Sequence, residues 1–331
     1  MHWFDGHLDL TYLALHGRDL ARTVAACGGT LQPASVTFPS LRAAGVCEAY
    51  STLFVRRKTN AVAGGFCFGT EAEAFASAWR QIEMHRAWKD EGHLHVKVAD
   101  GDSSPGERGN GKLKIRLAIE GAACIRTPED ADVFAGAGVR MVSLAWAEGS
   151  KWSGGDQTGG DLTAAGRALI PRLDALGIIH DVSHLAEPAF WSLLETARGT
   201  VVASHSNCRA LLAGHKSPER HLSDAQIRAL AARPGARIGI TLFNRFLVPP
   251  DELARRRPTS ADVIRHITHV EQIAGTRAIL ALGSDFDSGF GTDLLPADLQ
   301  GPQDLIHLAH ALSDAGWSDQ EIARFAGNWE R

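Results

Sequence analysis

The sequence predicts a single (β/α)8 barrel that spans residues 1–331. Three observations support this fold class. Short apolar, β-branched segments recur along the chain and alternate with segments of helical periodicity. Histidine and carboxylate residues follow several of these apolar segments, which is where (β/α)8 barrels carry their functional groups. No internal repeat, low-complexity tract or clear linker divides the sequence, so one domain is the preferred interpretation.

Eight apolar segments are predicted as strands. Short, nearly continuous apolar runs such as Thr200-Val201-Val202-Ala203 are typical of parallel strands that are buried on both faces. The predicted strands are residues 2–7, 44–55, 115–119, 138–145, 177–182, 200–204, 236–242 and 277–283. The clearest helical patterns are residues 70–90, 161–176, 186–197, 223–232, 260–274 and 302–314. An open, doubly wound sheet would show much the same alternation and is the alternative fold.

Two polar segments interrupt this alternation. Residues 91–114 contain the Gly-rich sequence DGDSSPGERGNG, which predicts a hairpin or a loop extension. Residues 148–160, with the sequence EGSKWSGGDQTGG, follow the fourth predicted strand and indicate a mobile loop.

Charge and composition argue against several classes of partner. The formal net charge is −4 with both signs spread along the chain, whereas nucleic-acid-binding proteins usually carry a concentrated basic surface. No apolar run reaches the roughly 18 residues that a membrane-spanning helix needs. We therefore expect neither a nucleic-acid nor a membrane partner, and we expect the chain to assemble as a homodimer.

The two ends of the chain and its cysteines predict a cytoplasmic protein. The N-terminal sequence MHWFDGHLDL has no basic region followed by an apolar stretch, and the C-terminal end has no hydrophobic tail. The cysteines are odd in number and widely spaced, with no CxxC motif. Reduced thiols are therefore expected rather than a disulfide framework.

Potential metal ligands lie at the ends of predicted strands. His7 and Asp9 form an HxD pair at the end of the first strand, where residues two apart share a face. Glu120, in LAIEGAA, ends the third strand, and a carboxylate buried there needs a partner. The remaining candidates are His184 after the fifth strand, His205 at the end of the sixth and Asp285 after the eighth. In a barrel these positions meet at one mouth.

Each candidate has a simpler structural explanation when it is taken alone. His7 could be a surface histidine near a helix-capping Asp9, and Glu120 could form a plain ion pair. His184 and His205 could be hydrogen-bonded core histidines, and Asp285 could cap a helix. Together these explanations would require every residue to fall at a strand end by coincidence.

The combined set predicts a hydrolytic site with two divalent ions. Zinc accepts this mixture of imidazole and carboxylate ligands. Two ions that share one carboxylate would activate a bridging water molecule and polarise a scissile carbonyl group. Asp285, unbound to the metals, would take the proton of that water and pass it to the leaving amine.

The sequence resembles the membrane (renal) dipeptidase family of metallopeptidases, within the amidohydrolase superfamily. The resemblance extends over nearly the whole chain, with the motifs in the family's order. They are DGHLD at 5–9, IEG at 119–121, DVSH at 181–184, SHSN at 204–207, Arg220 in RHLSD, and GSDFD at 283–287. The 21-residue step from His184 to His205 also matches the family.

The resemblance implies a binuclear zinc barrel that hydrolyses dipeptides. It implies that His7 and Asp9 hold one ion, that His184 and His205 hold the other, and that Glu120 bridges the two. It further implies that Arg220 binds the terminal carboxylate of the substrate, and that Asp285 faces the bridging water and the free amine. Without the resemblance, Arg220 could equally be a solvated surface arginine.

The chain departs from the family pattern at several positions. Leu8 replaces the asparagine of the family's DGHND motif. Trp146 stands where the fourth strand usually ends in a histidine that contacts the reacting carbonyl group. Trp146 could substitute for that histidine, His180 or His221 could take over its role, or the pocket could be reshaped for another substrate, which is the preferred hypothesis. The family also continues beyond the GNWER sequence that ends this chain, so a short helix is expected to be missing.

The leading functional prediction is hydrolysis of dipeptides or a related small amide. The alternative within the same chemistry is hydrolysis of an N-acyl amino acid, a lactam or a lactone, which would use the same metals in a different pocket. A third possibility, from another class, is a metal-binding protein without catalysis. Asp285 argues against this third possibility, because a purely structural metal site needs no unligated proton acceptor.

Overall fold

Eight parallel strands in chain order form the centre of the fold. The computed structural model describes residues 1–59, 64–97 and 112–329. The strands are β1 (Trp3–Leu8), β2 (Val46–Phe54), β3 (Leu113–Glu120), β4 (Val139–Ser143), β5 (Ile179–Asp181), β6 (Val201–Val202), β7 (Ile238–Ile240) and β8 (Leu280–Leu282). Each strand overlaps one of the eight predicted segments, which confirms the strand prediction.

The strands pair in parallel with their neighbours in sequence order. Backbone pairing joins β1 to β2 and continues in order to β6, and a second pairing joins β7 to β8. A parallel bridge between Ala203 and Ile238 connects these two groups. Between β8 and β1, the Asp5 carboxylate accepts hydrogen bonds from the backbone N–H of Ser284, at 2.9 Å, and from its hydroxyl. This order and direction confirm a (β/α)8 barrel and exclude the doubly wound alternative.

A tryptophan from the C-terminal end of the chain fills part of the barrel interior. The Trp329 indole N–H donates a hydrogen bond to the carbonyl of Leu282 at 2.7 Å. A Cβ atom on Gly6 would collide with this indole, so the glycine makes the close approach possible. Trp329 forms a cluster of inward-facing side chains with Phe4, Tyr50, Ala118, Met141, Val202 and Ala281. The barrel centre is therefore a packed core, and space for a ligand is left at its ends.

Helices follow the strands on the outside of the barrel. The described α-helices are α1 (Leu10–Leu15), α2 (Phe38–Ala43), α3 (Glu71–Asp90), α4 (Asp130–Gly136), α5 (Ala164–Ala175), α6 (Glu187–Thr196), α7 (Asp224–Ala231), α8 (Pro250–Leu253), α9 (Ser260–Ala274), α10 (Leu305–Asp314) and α11 (Asp319–Ala326). The six predicted helical segments correspond to α3, α5, α6, α7, α9 and α10. The other helices span about two turns or less, which leaves little periodicity in the sequence.

Local sequence explains where the longer helices begin and end. The side chain of Thr70 accepts a hydrogen bond from the backbone N–H of Glu73, and the Glu73 carboxylate accepts one from the backbone N–H of Thr70; this capping box starts α3. Ser223 and Gln226 form the same arrangement at the start of α7. α9 ends at Gly275, whose φ of 69° lies in the left-handed region that favours glycine.

Short additional strands lie outside the barrel ring. Leu94–Val96 pairs in parallel with β3, and Arg56–Arg57 pairs with Cys67–Phe68. Ser153–Gly155 and Gly159–Leu162 form an antiparallel hairpin, which we call the 153–162 hairpin, in the segment predicted as a loop. The Gly-rich sequence between residues 98 and 111, predicted as a hairpin or loop extension, lies outside the described residues.

Candidate metal centre and substrate cavity

The barrel brings all five predicted metal ligands together at the carboxyl ends of the strands. His7 lies within β1 and Asp9 directly follows it, while Glu120 is the last residue of β3. His184 and His205 each lie three residues beyond the end of β5 and β6. All five residues are at least partly buried, as is Asp285 beyond β8. A single centre therefore draws its side chains from four strand ends.

Glu120 lies between two groups of ligands. Its Oε1 atom is 3.2 Å from Nε2 of His184 and 3.5 Å from Nε2 of His205. The same oxygen is 3.8 Å from Nε2 of His7, which in turn is 3.6 Å from Oδ1 of Asp9. Oδ1 of Asp285 is also 3.8 Å from this His7 nitrogen. The carboxylate of Glu120 thus adjoins both sides of the cluster, which also meet directly where the rings of His7 and His205 stack with centroids 3.7 Å apart.

Hydrogen bonds to the outer nitrogens define the tautomers of two histidines. Nδ1 of His184 lies 2.8 Å from Oδ2 of Asp156, and an ionised carboxylate can only accept. Nδ1 of His205 lies 2.8 Å from the hydroxyl of Ser204, whose own proton is donated to Asp181 at 2.6 Å. Both Nδ1 atoms therefore carry a proton, so each ring in its neutral form presents a lone pair at Nε2.

These lone pairs test whether the residues fit a cation. The Nε2 atoms of His184 and His205 are 3.1 Å apart, and although burial and the charge of Arg220 lower the pKa of His184, Asp156 and Glu120 outweigh them and leave it raised. The carboxylate oxygen of Glu120 faces the same point. Two imidazole nitrogens and a carboxylate oxygen that converge in this way repel one another unless a proton or a metal cation lies between them. The arrangement therefore fits a bound divalent cation, and imidazole and carboxylate ligands are those that zinc accepts.

Burial and mutual charge shift the pKa values within the cluster. Burial, reinforced by the charge of Glu120, raises the pKa of Asp9 to about 6. Burial also raises the pKa of Asp285. Burial has the same effect on Glu120, but the neighbouring His7 and His184 outweigh it and lower the pKa of that carboxyl group. Burial lowers the pKa of His7, yet the charges of Glu120 and Asp9 leave it raised overall. Cation binding would relieve this repulsion between buried carboxylates.

Two site residues have backbone conformations that are rare for residues with a side chain. His184 has a φ of 68° and Asp285 a φ of 60°. Asp181 supports the first of these turns, because its Oδ1 atom accepts hydrogen bonds from the backbone N–H groups of Ser183 and Ser204. Non-glycine residues in this region are strained and cluster at functional sites, where the surrounding structure holds them in place.

Arg220 is a buried arginine beside the His184–His205 pair. Its two terminal nitrogens donate hydrogen bonds to the carbonyl of His205 at 2.8 Å and to the hydroxyl of Ser206 at 3.3 Å. Its Nε atom lies 3.9 Å from Oδ2 of Asp156 and has no hydrogen-bond partner among the described residues. The interpretation of Arg220 as a solvated surface residue is therefore wrong, because the side chain is only 3% exposed.

The ligand cluster lies at the base of a cavity of about 610 Å³. Arg220, Asp285 and Trp146 all line it. Trp146 lies three residues beyond the end of β4, and its ring centroid is 5.8 Å from that of His184. His180 and His221, the alternatives to the family histidine, do not line this cavity. His180 is buried beside Asp174, 2.7 Å away, and His221 is buried against the ring of Phe246.

Comparisons with known proteins identify the family. A sequence model of the membrane dipeptidase family, peptidase family M19, matches residues 1–329. The chain belongs to this family. An uncharacterised protein in the pqqA 5' region of Klebsiella pneumoniae is 33% identical over 211 residues, which cover 61% of this chain and 74% of that protein. An uncharacterised protein in the PQQ-III 3' region of Acinetobacter calcoaceticus is 32% identical over 175 residues, 50% of this chain and 53% of that protein.

Solved structures of the membrane dipeptidase family share the fold. A metallopeptidase from Rhodobacter sphaeroides, liganded with a phosphinate mimic of the dipeptide L-Ala-D-Ala, superposes with a TM-score of 0.82 at 23% identity. The dipeptidase AC, another family M19 metallopeptidase, superposes with a TM-score of 0.81, also at 23% identity. Each comparison covers 100% of this chain and 97% of the other. These similarities confirm the barrel fold of this member. Within the described part of the chain, no helix has the length and apolar character to span a membrane.

Asp156 also belongs to the site of this membrane dipeptidase family member, but it was not among the residues predicted from the sequence. It belongs to the 153–162 hairpin, and its side chain is 1% exposed. Its backbone N–H donates a hydrogen bond to the carbonyl of His184 at 2.9 Å, so both the backbone and the side chain of Asp156 connect the hairpin to His184. The available signal was a carboxylate inside the Gly-rich sequence GGDQTGG, but nothing in that sequence indicates which distant residue it contacts.

Proposed function

We propose that this chain is a metal-dependent hydrolase that cleaves dipeptides or a closely related small amide at a centre of two divalent ions, with zinc as the metal. The observation that carries the proposal is the convergence of the two Nε2 lone pairs of His184 and His205 on the Glu120 carboxylate. Membership of a metallopeptidase family supports the same chemistry.

The ligands divide naturally around Glu120. His184 and His205 would hold one ion, His7 and Asp9 the other, and Glu120 would be shared between them. When bound, the two ions supply a water molecule of lowered pKa and polarise the carbonyl group of the substrate. Two groups lie close enough together to bind one ion each, His7 with Glu120 and His205, and His7 with Asp9 and Asp285. They share His7, which the proposed division assigns to the ion that Asp9 holds.

The remaining side chains would orient the substrate and move a proton. Arg220 lines the cavity, and its Nε atom has no hydrogen-bond partner within the described part of the chain, which suits this guanidinium to bind the substrate's carboxylate. Asp285 is held by its strained turn toward His7, and burial raises its pKa, as a group that accepts and returns a proton requires. Trp146 also lines the cavity and would contact the substrate as part of the pocket wall.

Two alternatives remain distinct from this proposal. An N-acyl amino acid, a lactam or a lactone would use the same ligands and Arg220, but would not present a free amine to Asp285. A metal-binding protein without catalysis would need neither Asp285 at the cluster nor a cavity above it. The position of Asp285, 3.8 Å from His7 and lining the cavity, favours a catalytic centre.

Metal reconstitution followed by a substrate screen tests the proposal. We expect about two divalent ions per chain by elemental analysis, and zinc-dependent cleavage within a dipeptide library. Glu120→Gln should lower metal content and activity together, because it weakens both sides of the centre. The exposed Glu83→Gln is the matched control and should change neither. Carefully purified protein that contains no metal, and that rebinds none on reconstitution, would contradict the proposal.

A further inference from the structure

One wall of the cavity is formed by four aromatic rings. Tyr12, Phe54, Phe66 and Trp146, which we call the Trp146 wall, all line the cavity. Tyr12 and Phe66 have ring centroids 4.8 Å apart, and Phe54 and Trp146 have centroids 5.3 Å apart. Such tilted and edge contacts stabilise aromatic pairs, so these rings support one another as a continuous surface.

A second aromatic wall lies on another part of the cavity. Phe243, Phe246 and Phe290, which we call the Phe243 wall, also line it. The centroid of Phe243 is 4.7 Å from that of Phe246 and 4.4 Å from that of Phe290. These three rings come from the segments that follow β7 and β8, whereas the Trp146 wall comes from the last residue of β2 and from segments that follow β1, β2 and β4.

Each wall adjoins a different polar group of the candidate centre. The guanidinium carbon of Arg220 lies 5.2 Å from the ring centroid of Phe246, which puts the Phe243 wall beside the residue proposed to bind a carboxylate. The Trp146 wall instead adjoins His184, since the ring centroids of Trp146 and His184 are 5.8 Å apart. It also lies near Asp9 in the chain, because α1, which carries Tyr12, begins directly after Asp9. A substrate held at both polar ends would pass between the two walls.

Several of these rings keep part of their surface exposed to the cavity. Tyr12, Trp146, Phe243, Phe246 and Phe290 are only half-buried, whereas core aromatic residues of this chain are fully buried. Exposed aromatic surface costs free energy in water, and this cost is recovered when an apolar group covers it. The cavity of about 610 Å³ is also far larger than an alanyl dipeptide requires.

We propose that the cavity selects small amides in which both halves carry a large aromatic or apolar side chain, with the carboxylate-bearing half against the Phe243 wall and the other half against the Trp146 wall. This inference rests on the proposed hydrolytic function and specifies its substrate class. The selection acts through contact area, so it should appear as a difference in kcat/KM between large and small side chains.

Four dipeptides separate the contributions of the two walls. Ala–Ala, Ala–Phe, Phe–Ala and Phe–Phe, each tested in L and D forms at the carboxyl-terminal residue, vary one side chain at a time. We expect Ala–Phe and Phe–Ala each to exceed Ala–Ala in kcat/KM by about tenfold or more in at least one stereochemical series, as is typical of an apolar pocket that gains several methylene equivalents. Equal values for all four dipeptides would overturn the inference.

Two substitutions test which wall holds which half. In Phe243→Ala, the ratio of kcat/KM for Ala–Phe to that for Ala–Ala should fall towards one. The ratio of kcat/KM for Phe–Ala to that for Ala–Ala should be largely unchanged. Phe66→Ala should have the reverse pattern. Phe75→Ala is the matched control, because Phe75 stacks on Trp79 in α3 and does not line the cavity, so both ratios should stay as in the wild type. Parallel changes of both ratios in each variant would overturn the assignment of the walls.

A binding measurement distinguishes failure of this inference from failure of the proposed function. Calorimetric titration of the zinc-loaded protein with N-acetylphenylalanine and N-acetylalanine needs no turnover. We expect the phenylalanine derivative to bind about tenfold more tightly or better. Cleavage of dipeptides without this preference would overturn the inference alone. Preference in binding, with no dipeptide cleaved, would overturn the proposed function and support the selective cavity.

Discussion

Asp156 accepts a hydrogen bond from Nδ1 of His184 at 2.8 Å, although the two residues are 28 positions apart in the chain. The same carboxylate oxygen lies 3.9 Å from Nε of Arg220. Burial raises the pKa of Asp156, but His184 and Arg220 outweigh it and leave that pKa lowered. Asp156 therefore stays ionised, holds His184 in the tautomer that presents Nε2, and connects this histidine to Arg220.

The first prediction concerns the effect of Asp156 on metal binding. Asp156→Asn keeps the volume of the side chain but removes its charge, so the hydrogen bond that orients the His184 ring is left with a neutral and weaker acceptor. We expect the affinity for one of the two ions to fall by about 10- to 100-fold, as outer-sphere changes around metal-bound histidines typically cause. Competition with a chromophoric chelator measures this affinity without turnover.

A neighbouring aspartate provides the control for that experiment. Asp161 lies in the same 153–162 hairpin, but it is exposed and pairs with Arg167. Asp161→Asn should leave both metal affinities as in the wild type. If Asp156→Asn also binds both ions as tightly as the wild type, Asp156 does not orient the ligand.

The second prediction concerns the carboxylate of the substrate. Arg220→Met should raise KM for free dipeptides far more than for dipeptide amides, because a charge-assisted hydrogen bond contributes roughly 1.5–3 kcal/mol. Steady-state kinetics on matched acid and amide pairs measures the difference. The exposed Arg228→Met serves as control. An equal rise in KM for free dipeptides and for dipeptide amides would show that Arg220 has some other role.

The third prediction concerns Trp146. Its indole can donate one hydrogen bond but carries no charge, and its ring contacts Phe54 while the guanidinium of Arg56 lies over it at 4.7 Å. We expect small L,L-dipeptides to be poor substrates of the wild type. Trp146→His should raise their kcat/KM, because a histidine donor at such a site typically contributes about 10²–10³ in kcat.

A tryptophan outside the site controls for the substitution itself. Trp191 packs beside Phe190 in α6, and Trp191→His should leave kcat/KM for small dipeptides unchanged. Efficient hydrolysis of simple L,L-dipeptides by the wild type, with no gain from Trp146→His, would show that the pocket has not been reshaped in this way.

The fourth prediction concerns stability and pH. Burial lowers the pKa of His266 to about 4. The neutral ring accepts a hydrogen bond at Nδ1 from the backbone N–H of Cys208 and donates one from Nε2 to the carbonyl of Leu247. The unfolded chain takes up a proton at this residue below about pH 6.5, but the folded chain does so only near pH 4. The stabilisation is therefore complete above the unfolded pKa and is lost as the pH falls.

His266→Gln tests this dependence, because glutamine can replace both hydrogen bonds without titrating. From pH 7 to pH 5, the unfolding free energy of the wild type should fall by about 2 kcal/mol more than that of the variant. Urea denaturation at each pH, at constant metal concentration, measures it. The exposed His310→Gln should show no such shift. A difference that is constant with pH would mean that His266 is not held neutral in the fold.

Local sequence patterns were sufficient for much of the fold and for the candidate ligands. Strands such as β7 and β8 are short apolar runs, and the helices with clear periodicity or a capping pair, such as Thr70 and Glu73, were predicted close to their bounds. His7, Glu120, His184 and His205 could be found because a barrel carries the ends of its parallel strands to one face. Short helices such as α2 and α4 escaped prediction, since two turns contain too few apolar repeats.

Only the tertiary structure decided which distant groups meet at that face. Asp156 lies in a Gly-rich segment whose composition predicts a loop, and its contact with His184 exists because the 153–162 hairpin folds over the barrel mouth. Likewise, Trp329 fills the barrel interior beside Gly6 from the opposite end of the chain. Periodicity and residue type report which local structure a segment adopts and which face it buries. The partner of a buried charge or ring depends on long-range packing, which the one-dimensional pattern of residues does not encode locally.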